Sequence, residues 1–427
     1  MTPAARTAAT IEILTEISRG DAPADAVLAD WFRGHRFAGS GDRRAIREGV
    51  YTDFRMGALR RWLVQSAGGD PDNPRLRVIA GMAVDTPGEI DAHFDGTGYG
   101  PPPLRADETT LVAAIGNLDV ASAPPHVAGN CPEVLYPLFL DQWGEGAAGE
   151  LAALNRTASV DLRVNTLRAT REEAQARLAA DGYEAEPTPY SPTGLRSATR
   201  GNFQQLGAYR EGMIEPQDES SQLVTALVGA APGLRIVDYC AGAGGKALAL
   251  AAEAENMADM VACDVSRSRL SHLEPRAARL GVAGLRNFAV PADAAPAELE
   301  NWADRVLIDA PCSGTGTWRR SPDVRWRTSP ETIDDYVRAQ DRLLETATTM
   351  LRDGGQIIYA VCSVLEREGA ARVDDFLARH PDFQRLPIED ILAPGLVAEL
   401  GCERDLVLTP NRHETDGMYA AVLARGS

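Results

Sequence analysis

Apolar positions recur at spacings of three and four in AATIEILTEISRG and in AIREGVYTDFRMGALRRWLV, a period that predicts amphipathic helices through residues 1–128. SGDRRAI opens the second stretch, with Ser40 or Asp42 as its cap. Gly- and Pro-rich GTGYGPPPL and ASAPPHVAGN (121–130) break the pattern, the latter as a candidate linker. Residues 129–214 read differently. CPEVLYPLFLDQWG and EGAAGELAALNRT suggest helices, VDLRVNTL a strand, and TREEAQARLAADG a helix stopped by Gly182. This is a small α+β unit.

From residue 215 to 427 apolar strands alternate with helical stretches. The strands are RIVDYC (235–240), MVACDV (260–265), LRNFAV (285–290), RVLIDA (305–310) and QIIYAVCS (356–363), with DLVLTP and MYAAVLA near the end. The helical stretches include RSRLSHLEPRAARLG and DDYVRAQDRLLETATTMLRDGG. Such alternation predicts a mainly parallel, doubly wound α/β sheet covered on both faces. In that architecture ligands bind at the C-terminal ends of the strands, so those ends should carry the chemistry.

Composition narrows the class. Hydrophobic residues make up 44% and charged residues 24% of the 427 residues, ordinary globular usage. No apolar run approaches the roughly 18 residues needed to cross a bilayer. MTPAARTAATIEIL lacks the basic and apolar regions of a secretion signal, so a cytoplasmic protein is expected. Six cysteines stand without CxxC spacing, which argues against a zinc site or a disulfide scaffold and for reduced thiols. No metal is expected, and a monomer is the default. A net charge of −18 excludes a uniformly basic surface but leaves room for a local basic groove. Among 43 basic residues the single lysine is Lys246. An amine is a compact, titratable donor where guanidinium is not.

The strand ends carry the candidate chemistry. The first strand runs into DYCAGAGGK, where Gly242, Gly244 and Gly245 would bring backbone N–H groups close to a ligand at a helix N-terminus. Alone, this loop suits NAD, a nucleotide or S-adenosylmethionine. The second strand ends in Asp264, roughly 20 residues on, where a ribose diol would be gripped. Asp293, after the third strand, is placed to reach a base edge, although either aspartate alone could cap a helix. Together with the loop they favour an adenosyl ligand, with Cys240, Ala241, Ala243, Arg269 and Asp309 as further candidate contacts. The fourth strand ends in DAPCSGTG and delivers Asp309 and Cys312, and the fifth delivers Cys362 and Ser363. Two cysteines at adjacent strand ends beside a cofactor loop are hard to read as core filler. TWRRSPDVRWR follows directly; its cations and aromatics (Trp318, Arg319, Arg320, Arg325, Trp326, Arg327) suit phosphate contact and base stacking. Arg163 and Arg168 are further candidates for phosphate contact.

DYCAGAGGK, DAPCSGTG followed by RRSPDVRW, YAVCSVLERE, QDESSQLV and HETDGMYAAVL resemble motifs of RNA 5-methylcytosine methyltransferases, the bacterial 16S rRNA methyltransferase B and Nop2/Sun proteins. The resemblance covers the last half of the chain most fully. LAALNRTASVDLRVNTLRATREEAQARLAADGY is similar to that family's small RNA-contacting domain, and the helical N-terminus to its NusB-like domain. The implied fold is a Rossmann-like S-adenosylmethionine methyltransferase domain preceded by a small α+β domain and an all-α NusB-like domain. The implied partner is RNA, ribosomal RNA first.

By the same resemblance Cys362 is the nucleophile and Cys312 acts in breaking the adduct. Asp309 would hydrogen-bond the cytosine, and Lys246 would stand beside base and cofactor. The chemistry explains two thiols. Cytosine C5 is too electron-poor to take a methyl group unaided, and a thiolate adding to C6 turns it into an enamine-like nucleophile. The chain departs from the family at Val361, where threonine is usual, at Gly242 and Ala243, where Ala-Pro is usual, and in SVLEREGA, which lacks an asparagine. The alternatives are a transfer RNA cytosine-5 methyltransferase and a non-catalytic RNA-binding or assembly factor. Methylation of an amino group needs no thiol, and a DNA cytosine methyltransferase needs one cysteine.

Overall fold

A computed structural model describes residues 1–198, 201, 203–292 and 294–426. The chain forms two units, Met1–Arg156 with Trp318–Ser329, and Thr157–Thr317 with Pro330–Ser427. The first is helical, with longer helices at Pro3–Ile17, Ala24–Gly34, Ser40–Arg55, Gly57–Ser66, Pro74–Asp85 and Ala106–Gly116. The three-and-four spacing is realised as one core that includes Ile13, Leu28, Ile46, Val50, Leu63 and Ile79. The helix at Ser40 is capped by Gly39 rather than by Ser40 or Asp42. Asp42 sits at the third position and accepts from the Gly39 N–H at 3.3 Å. The unit runs on through the expected linker, which holds a short helix at Pro125–Ala128, to Arg156.

The second unit opens with an antiparallel sheet of four short strands, β1 (Val160–Val164), β2 (Glu186–Pro187), β3 (Gly194–Ser197) and β4 (Ile214–Pro216), in the order β2-β3-β1-β4. Thr170 and Glu173 form a reciprocal cap on the helix Arg171–Ala180, at 3.2 and 2.9 Å.

The large sheet contains β5 (Arg235–Asp238), β6 (Asp259–Asp264), β7 (Arg286–Ala289), β8 (Ala303–Asp309), β9 (Leu351–Val361), β10 (Phe383–Leu386), β11 (Leu406–Leu408) and β12 (Met418–Arg425). Their order is β10-β12-β9-β8-β5-β6-β7, with β11 also on β12. Neighbours from β7 to β9 are parallel. Ile236, Met260, Leu307 and Ile358 join one core, while Val237, Val261, Val306 and Ile357 join another. Both faces are therefore covered, which is why these strands read as unbroken apolar runs.

The sheet is mainly parallel as expected, and β10, β11 and β12 add antiparallel pairings at one side. β10, FQRL, sets two adjacent polar residues between Phe383 and Leu386 and left no apolar run to read. The chain moves outward from β5 to β7, then returns to β8 on β5's other side. This reversal opens a crevice beyond the strands' C-terminal ends. Among the described residues no helix is long and apolar enough to cross a membrane, and no cluster of His, Cys, Asp and Glu could hold a metal ion.

Candidate active site

Five strand ends meet at that crevice. The chain leaves β5 through Tyr239–Gly244 and enters the helix Gly245–Glu253. Gly244 caps this helix with φ +83°, and a Cβ there would lie 2.8 Å from the Leu273 side chain. Glycine alone meets both demands. Asp264, at the end of β6, accepts from the Gly242 N–H at 2.8 Å and the Ser266 N–H at 2.7 Å, and pairs with Arg269 at 2.9 Å. The carboxylate expected to grip a ribose thus also pins the glycine loop.

Lys246, on the first turn of the helix, is nearly buried and reaches Asp309 Oδ2 at 2.5 Å. Burial pulls the ammonium pKa down, but the charge and hydrogen bond of Asp309 outweigh it and raise it above its ordinary value. The amine stays charged. Asp238 is fully buried. Burial pushes its carboxyl up to about 7, the Asp309 charge adds to this, and Lys246 opposes it.

Cys312, three residues beyond β8, and Cys362, one residue beyond β9, face each other with sulfurs 3.3 Å apart. Both are half-buried. The hydrogen bond with Cys362, then burial, then the charges of Cys362 and Glu368 push the Cys312 thiol well above its ordinary range. Cys312 therefore holds its proton more tightly than an ordinary thiol does.

These groups share one cavity of about 530 Å³, within the usual range for a small-molecule site. Cys240, Ala241, Gly242, Asp264, Arg269, Asp309, Cys312 and Cys362 all line it. Of the other expected cofactor contacts, Ala243, Gly244 and Gly245 do not: they build the turn, and the Ala243 carbonyl accepts from Arg276. Lys246 acts through Asp309. Asp293 lies outside the described residues.

Sequence reasoning missed Val265, exposed at the cavity wall, and the face of helix Pro330–Met350 that presents Ala339, Arg342 and Leu343. The period predicted that helix, and its i, i+3, i+4 spacing was the available signal for a shared face.

The RNA-contact reading needs correction. Trp318 and Arg325 have no exposed surface, and Arg319 is buried. The segment Trp318–Ser329 belongs to the helical unit, where Trp318 packs on Phe139 and the Arg325 guanidinium lies 4.6 Å over the Trp318 ring. Arg325 donates to the carbonyls of Asn130 at 2.9 Å and Leu154 at 3.2 Å. Half-buried Trp326 donates to the Phe54 carbonyl at 2.7 Å and stacks with Arg61. Cations interleaved with aromatics here make an interior, because Arg325 finds both carbonyls and a ring. Arg320 is half-buried, and exposed Arg327 pairs with Asp323 at 2.9 Å. Arg163 is also buried; it donates to the Gly245 carbonyl at 3.2 Å, and burial lowers its pKa to about 10. Arg168 remains exposed.

Residues 226–424 match the family model for the 16S rRNA methyltransferase RsmB/F, and residues 131–204 that family's ferredoxin-like domain. Ribosomal RNA small subunit methyltransferase B of Xanthomonas campestris pv. campestris is 32% identical over 381 residues, covering 87% of this chain and 85% of that one. The probable enzyme of that name from Synechocystis sp. is 32% identical over 300 residues, 69% of this chain and 66% of its own. The crystal structure of PH0851 superimposes with a TM-score of 0.78 at 25% identity, covering 99% of both chains.

Proposed function

The chain belongs to the ribosomal RNA small subunit methyltransferase B family, and from that premise we propose that it transfers a methyl group from S-adenosylmethionine to C5 of a cytosine in 16S ribosomal RNA. One observation carries the reading: two thiols 3.3 Å apart on a cavity that also holds a glycine loop and Asp264. Transfer to an amino group would leave both sulfurs without a task.

The cavity fits the methyl donor. The backbone of Cys240–Gly242 offers a close approach, with Gly242 at φ +57°, and Asp264 with Arg269 supplies polar partners beside the apolar wall of Val265, Val290 and Pro291. When bound, S-adenosylmethionine supplies an electrophilic methyl group on a sulfonium.

Cys362 as thiolate bonds to cytosine C6, and the electron pair displaced from the ring makes C5 the nucleophile that takes the methyl group. Lys246 lies close enough for its charge and that of Cys362 to act on each other. Asp309, held by Lys246, takes the ring and amino edge of the base. Release needs a base for the C5 proton, after which the C6–sulfur bond breaks and the electron pair returns to Cys362. Cys312, once its own proton has passed to solvent, is the group we assign to that step. The target carbon lies in a stacked base, so the cytosine enters unpaired or flipped. Exposed Arg168 is the phosphate contact we retain.

The test is methyl transfer from labelled S-adenosylmethionine to 16S ribosomal RNA and to transfer RNA, with bisulfite sequencing of both. A new 5-methylcytosine in 16S RNA is expected. Signal in transfer RNA alone would overturn the substrate, and label without 5-methylcytosine would overturn the chemistry.

A further inference from the structure

The loops carrying the two cysteines are tied together by a carboxylate that takes no part in the chemistry above. Glu368 has no exposed surface. One oxygen accepts from the Ser313 N–H at 2.8 Å and from Gln340 Nε2 at 3.3 Å. The other accepts from the hydroxyl of Ser313 and from that of Ser363 at 2.6 Å. Ser313 follows Cys312 and Ser363 follows Cys362.

The surroundings hold this carboxylate firmly. Gln340 also donates to the Pro311 carbonyl at 3.0 Å, and the Tyr359 hydroxyl donates to the Glu368 carbonyl at 2.6 Å. Thr315 Oγ1 lies 2.9 Å from Ser363 Oγ and accepts from the Val364 N–H at 3.1 Å. Among the described residues no ion pair balances Glu368, so hydrogen bonds alone compensate a buried charge. A buried carboxylate is costly, and loops that needed only cohesion could be joined by apolar contact. What the carboxylate adds is direction: charge-assisted bonds are short and oriented. They end on the residue after each thiol.

We propose that Glu368 is the positioning residue of the thiol pair, fixing Cys312 and Cys362 at contact distance by holding Ser313 and Ser363 on one carboxylate. This rests on the covalent reading of the site, and it adds a residue that neither touches substrate nor lines the cavity. Its charge also contributes to keeping the Cys312 proton in place, in agreement with the direction of that thiol's shift. Glu368 thus governs the distance between the sulfurs.

Two measurements on the full chain separate this proposal from the reading beneath it. The first requires no turnover. With glutathione disulfide in excess, the paired thiols lose two electrons and two protons, a Cys312–Cys362 bond forms, and two glutathione molecules are released. Glu368→Gln should slow closure of that bond by about tenfold, and Ser313→Ala, which removes one donor, should slow it less. The second is kinetic: in Glu368→Gln, kcat for methyl transfer should fall by about a hundredfold while KM for S-adenosylmethionine stays as in the parent. Closure at the parental rate in both variants, or a loss of kcat matched by an equal rise in donor KM, would overturn the proposal. Should Glu368→Gln fail to fold, Ser313→Ala decides alone on the same criteria. Slowed closure in a protein that methylates no RNA would leave the positioning role standing and remove the proposed reaction.

Discussion

At Asp238, burial and charge conflict, and the conflict is measurable. Its folded-state value of about 7 stands above the ordinary 3.8, so the folded chain retains a proton that the unfolded chain has released. Stability from this group is therefore full below about pH 4 and declines as pH rises toward about 7. In urea titrations Asp238→Asn should flatten that decline, whereas equal pH dependence in parent and variant would contradict it. Lys246 is constrained differently. It is almost buried, reaches Asp309 from a helix's first turn, and keeps its charge through that contact. A planar guanidinium cannot take the place of a compact ammonium there. Lys246→Arg should lower kcat by about a hundredfold in a labelled-methyl assay; near-parental kcat would show that charge alone suffices.

Among the elements, the site depends on turns more than on strands. Gly244 holds φ +83° against Leu273, so Gly244→Ala should cost about 1–2 kcal/mol from the backbone alone, read from chemical denaturation. The reciprocal cap of Thr170 and Glu173 is an independent check, and Thr170→Ala should cost about 1 kcal/mol by the same measurement. These elements also show what the sequence could convey. Apolar runs marked β5, β6, β8 and β9 because both faces of the sheet are covered there, and the cysteines were legible because each follows such a run. The two-residue β2 and the half-polar β10 have no such signal, since their pairing is decided by neighbours far along the chain. Glu368 was likewise hidden. Its role depends on two serines, 55 and 5 residues away, meeting at one carboxylate.

For the whole molecule, a net charge of −18 makes RNA binding depend on a few placed cations. The basic run after the catalytic loop looked like such a place because composition does not distinguish a surface arginine from one folded onto carbonyls. Arg325 is the second kind. Arg325→Ala should lower the melting temperature and leave the salt dependence of RNA binding unchanged, because it strands two buried carbonyls. Arg168 is exposed although its Nε donates to the Leu280 carbonyl at 3.3 Å, and Arg168→Ala should reduce the salt slope by about one contact with little change in melting. The reverse pattern in salt titrations would restore the basic run to the RNA. The central claim, that Cys362 attacks and Cys312 releases, meets its most direct test in denaturing gels of protein incubated with substrate RNA and S-adenosylmethionine. Cys312→Ala should accumulate a covalent RNA complex that survives denaturation, and Cys362→Ala should form none. Equal behaviour of the two variants would contradict the assignment.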